Sequence, residues 1–148
     1  MARLIRQTVI LAKVETTSGT DAVPTGAANA LQVTDFSVTP LDANNVDTNI
    51  LLPYFGGSPS LVGTASVKCS FTVLLAGSGT AATAPAWGAL LQGCGMAETT
   101  GLTAPNRVEY LPITDLLKTL TIYYYDSGVL HKMLGAFGNV KLTAKIGR

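Results

Sequence analysis

Apolar and polar residues alternate along much of the chain, which is typical of strands with one buried face. The clearest case is residues 64–75, where every second residue from Val67 to Leu75 is apolar and residues 66, 68, 70 and 72 are polar. Similar patterns predict further strands at residues 4–14, 31–39, 107–113, 118–125, 129–134 and 140–146. A shift of apolar phase near Thr34 and Asp35 predicts a bulge in the second strand.

One segment has helical spacing instead. Apolar residues at positions 87, 90, 91 and 94 form a single stripe, and Gly93 or Gly95 suits the end of a short helix. About seven strands and one helix predict a mainly β fold, a β-sandwich or barrel with a flanking α-helix, in a single domain over residues 1–148.

Residues 41–63 follow neither period, although they contain apolar side chains. We predict a long loop or arm, which either folds back over its own core or contacts another subunit. The candidate contact residues are Asn44, Asp47, Leu51, Leu52, Tyr54 and Phe55.

Composition favours association. The chain of 148 residues is 47% hydrophobic and only 13% charged, whereas an ordinary soluble domain is about 25% charged. Apolar runs such as residues 73–76 are too short for a spanning helix, which needs about 20 residues. The start of the chain does not match a secretory signal, so we expect synthesis in the cytoplasm.

Charge is unevenly distributed, although the net charge is +1. The region of residues 20–50 is acidic, and the last thirty residues are basic. In a monomer this could mean nothing, but in an assembly the two regions could meet across an interface. The residues concerned are Asp21, Asp35, Asp42 and Asp47, and Lys118, Lys132, Lys141, Lys145 and Arg148.

The sequence contains no competent catalytic motif. His131 is the one histidine, and we interpret it as a surface or interface residue. The glycine-rich segments lack the spacing of a phosphate-binding loop, and the acidic residues match no calcium loop. Cys69 and Cys94 are far apart and are predicted to be buried, reduced thiols. We therefore predict no enzyme, catalytic residue, metal, cofactor or small-molecule substrate.

Several segments together resemble one family, the major tail tube proteins of long-tailed bacteriophages. They are residues 10–21 (ILAKVETTSGTD), 24–30 (PTGAANA), 54–62 (YFGGSPSLV), 90–95 (LLQGCG) and 131–140 (HKMLGAFGNV). Each segment alone consists of residues that are common in turns and strands. The order of the segments over most of the chain, however, is similar to that of the family.

The resemblance implies a structural virion protein that forms rings, commonly hexamers, which stack into a tail tube through which DNA passes at ejection. Its partners would be other copies of itself, tail proteins such as the tape measure and the tail terminator, and transiently DNA. The alternative is another virion β-sandwich, such as a head-decoration or adhesion-type protein.

A DNA conduit needs a wall that does not hold phosphates tightly, because each phosphate contact to a cation adds affinity. Two polar strand faces are candidates for such a lumen wall, and the sequence does not choose between them. One comprises Ser66, Lys68, Ser70 and Thr72, and the other Thr119 and Thr121.

Overall fold

The computed structural model describes residues 9–51, 53, 55–126 and 128–144. These residues form eight strands and two short helices. In chain order they are β1 (Val9–Val14), α1 (Gly26–Asn29), β2 (Ala30–Leu31), β3 (Val33–Asp47), β4 (Ser60–Val73), α2 (Gly88–Gln92), β5 (Met96–Leu102), β6 (Arg107–Pro112), β7 (Leu120–Asp126) and β8 (Val129–Ala136).

The core belongs to a four-stranded antiparallel sheet with the order β2-β1-β7-β8. The central pair is β1 and β7, with Ile10 opposite Tyr124 and Ala12 opposite Ile122. Residues 10–12 of β1 and residues 120–124 of β7 are buried on both faces of the sheet, and these stretches are largely apolar. The buried apolar residues are Ile10, Leu11, Ala12, Leu31, Leu91, Leu120, Ile122, Tyr123 and Tyr124.

Helix α2 packs near this sheet and ends where the sequence predicts. Gly93 is the C-cap, and a Cβ there would collide with the side chain of Leu120 on β7. Gly95 then reverses the chain with φ +80°, a conformation that glycine adopts without steric cost. The two glycines let the helix end tightly against the core.

A separate hairpin of β5 and β6 follows, with Met96 opposite Pro112 and a register shift between Thr99 and Leu102. The Tyr110 hydroxyl donates to Glu98 Oε2 at 2.7 Å across this pair. Strand β6 matches the strand predicted at residues 107–113, whereas β5 has no alternating pattern and was not predicted.

The chain divides into two compact units, of which residues 34–72 form the second. This unit is a two-stranded sheet of β3 and β4, which we call the ribbon. The Thr48 amide donates to the Pro59 carbonyl, and the Ser66 hydroxyl donates to the Asp42 carbonyl. Partner numbers rise on one strand and fall on the other, so the pairing is antiparallel.

The sequence predictions of the fold hold only in part. The described residues form eight strands in three sheets and no closed barrel, so neither the count of about seven strands nor the sandwich or barrel is confirmed. The predicted loop at residues 41–63 is strand at both ends, because residues 41–47 lie in β3 and 60–63 in β4, and residues 48–59 connect the two strands. Residues 140–144 form no strand, and the rest of that predicted strand lies outside the described residues.

The expectation of one domain over residues 1–148 stays a prediction. The bulge predicted near Thr34 and Asp35 also stays a prediction, although Asp35 has φ +54° within β3. A left-handed residue is the geometry that disturbs a regular strand.

Candidate assembly surfaces

The ribbon is the most unusual surface of the chain because none of its described residues is buried. Its strands are 15 and 14 residues long, so the lack of burial does not come from small size. An isolated two-stranded hairpin is at best marginally stable in water. The ribbon is therefore a regular two-stranded sheet that has no buried side chains among its described residues to stabilise it.

Apolar side chains are nonetheless frequent on the ribbon. The exposed large ones are Leu41, Val46, Ile50, Leu51, Phe55, Leu61, Val62 and Val67. Single exposed apolar residues are normal, but a continuous series on one element marks an interaction site.

The predicted contact residues lie on this element. Asn44 and Asp47 are exposed on β3, and Leu51 and Phe55 are essentially fully exposed in the connection at residues 48–59. Leu52 and Tyr54 lie outside the described residues. The contact role of all six stays a prediction.

The first predicted lumen face lies on β4. Ser66, Lys68, Ser70 and Thr72 are all exposed and occupy alternate positions, so they share one face of the strand. The lysine forms an ion pair with Asp42 of β3. Its charge is thus compensated within the ribbon, and the face has little net charge to hold a phosphate.

The second predicted lumen face is occupied by a buried carboxylate. Glu15 directly follows β1 and is 5% exposed. Its oxygens accept hydrogen bonds from the Thr119 hydroxyl at 2.6 Å, the Thr121 hydroxyl at 2.8 Å, and the Gly19 and Gly135 amides at 2.7 and 2.8 Å. All of these donors point at one residue, so this end of the sheet is fixed by polar contacts.

Two opposing effects set the pKa of Glu15. Burial alone raises it, but the hydrogen bonds from Thr119, Gly135, Gly19 and Thr121 outweigh burial, so the pKa is lowered from its ordinary value. The carboxylate is therefore ionised and satisfied.

The lumen role of Thr121 stays a prediction, although the burial of this residue argues against it. Its side chain is 0% exposed, and its hydroxyl also accepts the Ala22 amide at 3.1 Å. The segment after β1 folds across this face of β7 and covers it. Thr119 is half-buried with its hydroxyl committed to Glu15, and its lumen role stays a prediction.

A second polar cluster fastens the same segment. Asp21 accepts the Tyr123 hydroxyl at 2.6 Å and the Lys132 ammonium at 2.9 Å, and the ammonium lies 4.8 Å from the centre of the Tyr123 ring. The hydrogen bonds from Tyr123 and Lys132 lower the pKa of Asp21 to about 2. Sequence reasoning missed both clusters, since an acidic residue just after an apolar strand was the only local signal.

The clusters also change the predicted charge pairing between subunits. Asp21 and Lys132 pair with each other, and Asp42 pairs with Lys68, so these charges are matched inside the chain. Asp35, Asp47 and Lys141 form no ion pair with a described residue, and Lys118 donates to Gln92 Oε1 at 3.0 Å. Lys145 and Arg148 lie outside the described residues.

The remaining candidate chemistry is sparse. His131 is exposed, as predicted, and stacks on Tyr124 with ring centres 4.5 Å apart. Cys69 and Cys94 form no disulfide; both are half-buried instead of fully buried, and burial raises the pKa of each thiol. Within the described ranges, no three His, Cys, Asp or Glu side chains are grouped to hold a metal ion. In that same part of the chain, no helix has the length and apolarity to span a membrane.

Fold and surfaces together define a mainly β protein whose long, uncovered apolar ribbon is suited to association. The chain belongs to the phage tail tube protein family, whose model matches residues 5–147. Comparisons with curated proteins and with solved structures gave no match. The family is structural and not a class of enzyme, and it implies a virion component that assembles with itself and with other tail proteins.

Proposed function

We propose that the chain assembles into hexameric rings that stack into the tail tube of a long-tailed phage, and that DNA passes through this tube at ejection. The observation that carries the proposal is the ribbon, an ordered two-stranded sheet with exposed apolar residues and no buried residue among those described. Membership of the tail tube family favours this function over a head-decoration or adhesion role.

The energetics of the ribbon support association. Full burial of a Leu, Val, Ile or Phe side chain contributes about 1.5–3 kcal/mol relative to leaving it exposed. The ribbon carries such side chains along both strands and the connection. Covering even a few of them with a neighbouring copy would offset the ordering cost of the contact.

The exposed β4 face formed by Ser66, Lys68, Ser70 and Thr72 is our candidate for the lumen wall. Small hydroxyl side chains do not bind phosphates strongly, and the ion pair with Asp42 compensates the one cation. The ends of the tube would meet the tape measure and tail terminator proteins, and the chain would be made in the host cytoplasm before it enters the virion.

Electron microscopy of the purified protein tests the proposal. The wild-type chain is expected to form tubes with a central channel. A variant with Leu51→Asp and Phe55→Asp should remain dispersed, because charge on the exposed connection opposes burial. Deletion of residues 44–58 should have the same effect.

The matched control places the same two charges elsewhere. Thr103→Asp with Asn106→Asp changes two exposed residues in the β5–β6 loop and should leave tubes intact. A wild-type chain that stays monomeric at high concentration would contradict the proposed function. Tubes of normal length from the ribbon variants would show that the ribbon is not the contact element.

A further inference from the structure

A second exposed apolar surface lies in the first unit, around the turn that follows α2. Leu117 and Phe137 both approach Gly95, within 3.7 and 3.8 Å of where a Cβ would stand. Both side chains are more than half exposed, and the neighbouring Leu116 is 90% exposed. We call these three residues, together with the exposed lysines that flank them in the sequence, Lys118 and Lys141, the Gly95 patch.

Backbone hydrogen bonds hold this patch in place. The Ile113 amide donates to the Gly95 carbonyl at 3.0 Å, and the Gly138 amide donates to the Gly93 carbonyl at 3.1 Å. Two segments distant in sequence are thereby joined to the same turn. The patch is therefore prepared before any partner binds, which reduces the ordering cost of association.

Leu116 has an unusual conformation for its residue type, with φ +54°. A positive φ in a bulky residue is uncommon and costs on the order of 1–3 kcal/mol. Here that conformation accompanies an apolar side chain that is almost wholly in solvent. Nothing within the described part of the chain covers this side chain, so it is available for contact with another molecule.

The charges of the patch and of the ribbon are complementary. The ribbon has three aspartates against one lysine, and the carboxylate of Asp47, at the end of β3, forms no ion pair with a described residue. In the patch, Lys141 likewise forms no ion pair with a described residue, and Lys118 donates one hydrogen bond to Gln92. With the adjacent Asp115, the two lysines leave an excess of one positive charge.

We propose that the Gly95 patch of one copy receives the ribbon tip, residues 47–59, of another copy. The inference rests on the proposed self-assembly and assigns the acceptor surface. Head-to-tail assembly requires two different, complementary surfaces on every chain. The tip supplies Leu51 and Phe55 to the apolar centre, and Asp47 pairs with Lys141 at the rim.

Charge reversal tests the pairing. Lys141→Glu and Asp47→Lys, each alone, should raise the protein concentration needed for tube formation at least about tenfold, because like charges then face each other. The chain carrying both substitutions should return to within about threefold of the wild type, a smaller change than the tenfold that corresponds to about 1.4 kcal/mol.

The control combines Asp47→Lys with Lys13→Glu, which reverses an exposed lysine of β1 outside the patch. This combination should not restore assembly. Circular dichroism of the dispersed chains should be unchanged in every variant, since these side chains are exposed.

Crosslinking between distinct copies gives an independent measurement. In a background with Cys69→Ser and Cys94→Ala that still assembles, a tagged chain with Phe55→Cys is mixed with an untagged chain carrying Leu116→Cys. Oxidation should give a covalent pair of one tagged and one untagged chain, whereas Thr103→Cys in place of Leu116→Cys should not.

The outcomes separate the two proposals. If the wild-type chain forms no tubes, the proposed function fails and the acceptor site fails with it. If tubes form but Lys141→Glu leaves the assembly concentration unchanged, or the double reversal fails to restore it, the acceptor surface is wrong while the function stands.

Discussion

The sheet containing β1 and β7 and the ribbon of β3 and β4 represent two opposite ways of building antiparallel structure. The first is buried on both faces, by apolar side chains and by a segment held through Glu15 and Asp21. The second has longer strands but no buried described residue. The comparison shows that long, paired strands alone do not give a sheet a buried core. The core sheet is covered by other parts of the same chain, and we propose that the ribbon is covered by another copy.

The two regions should differ most in how much stability is lost when an apolar side chain is shortened. Ile122→Ala should lower the free energy of unfolding by about 2–5 kcal/mol, because a cavity forms in the core. Ile50→Ala, at a 53% exposed position, should change it by no more than about 0.5 kcal/mol in the dispersed chain. Urea unfolding of dispersed protein measures both. Equal losses would mean that the ribbon has its own internal support.

A smaller loss of stability is expected when a polar contact that covers the core sheet is removed. Thr121→Val keeps the shape but removes the hydroxyl that donates to Glu15 and accepts from Ala22. Leaving buried polar groups without a partner costs about 1–3 kcal/mol. Thr121→Ser retains the hydroxyl and is the matched control, and thermal or urea unfolding gives the comparison. A valine variant as stable as the serine variant would contradict the role assigned to this contact.

Acid should loosen the segment after β1, because protonation of Asp21 weakens its contacts with Tyr123 and Lys132. The pKa of Asp21 is depressed to about 2 from an ordinary 3.8, so its stabilisation is fully present above pH 3.8 and is lost as pH falls through about 2. Fluorescence of Tyr123, followed between pH 5 and pH 1.5, should report the change. In the Asp21→Asn variant the part of the transition due to this carboxylate should be absent, and an identical titration would refute the assignment.

The smallest effect on stability is expected on the ribbon itself. Asp42→Asn breaks an exposed ion pair, and exposed pairs contribute about 0–1 kcal/mol. The functional effect should be larger if this face lines the lumen, because Lys68 would then be uncompensated in every subunit and would retain DNA. Salt-dependent binding of DNA to assembled tubes measures this. Asp42→Asn combined with Lys68→Ala should bind no more DNA than the wild type.

The fold could be predicted where local pattern and tertiary packing agree. The alternation in β4, the hairpin of β7 and β8 and the end of α2 at Gly93 followed from the sequence, because each depends on local spacing. Strand β3 extends eight residues beyond the predicted end at Thr39, through Pro40 and several Asp and Asn residues. These residue types disfavour strands, and pairing with β4 holds them in one.

The surfaces were harder to predict for a physical reason. The exposed β4 face and the contact loop each depend on the local sequence pattern, so both could be predicted. In the structure their described residues lie on the ribbon. The burial of Thr121 depends on Glu15, which is 106 residues away, and no periodicity encodes such a contact. The Gly95 patch likewise joins segments around positions 95, 117 and 137, whose proximity only the fold provides.

Amide hydrogen exchange on dispersed and assembled protein tests the central claim most directly. The account predicts that amides of residues 34–72 exchange rapidly in the dispersed chain and become strongly protected in tubes, because the ribbon gains its cover only from another copy. Amides of β1 and β7 should be protected in both states. Equal protection of the ribbon in the two states, or protection gained mainly by β1 and β7, would contradict it.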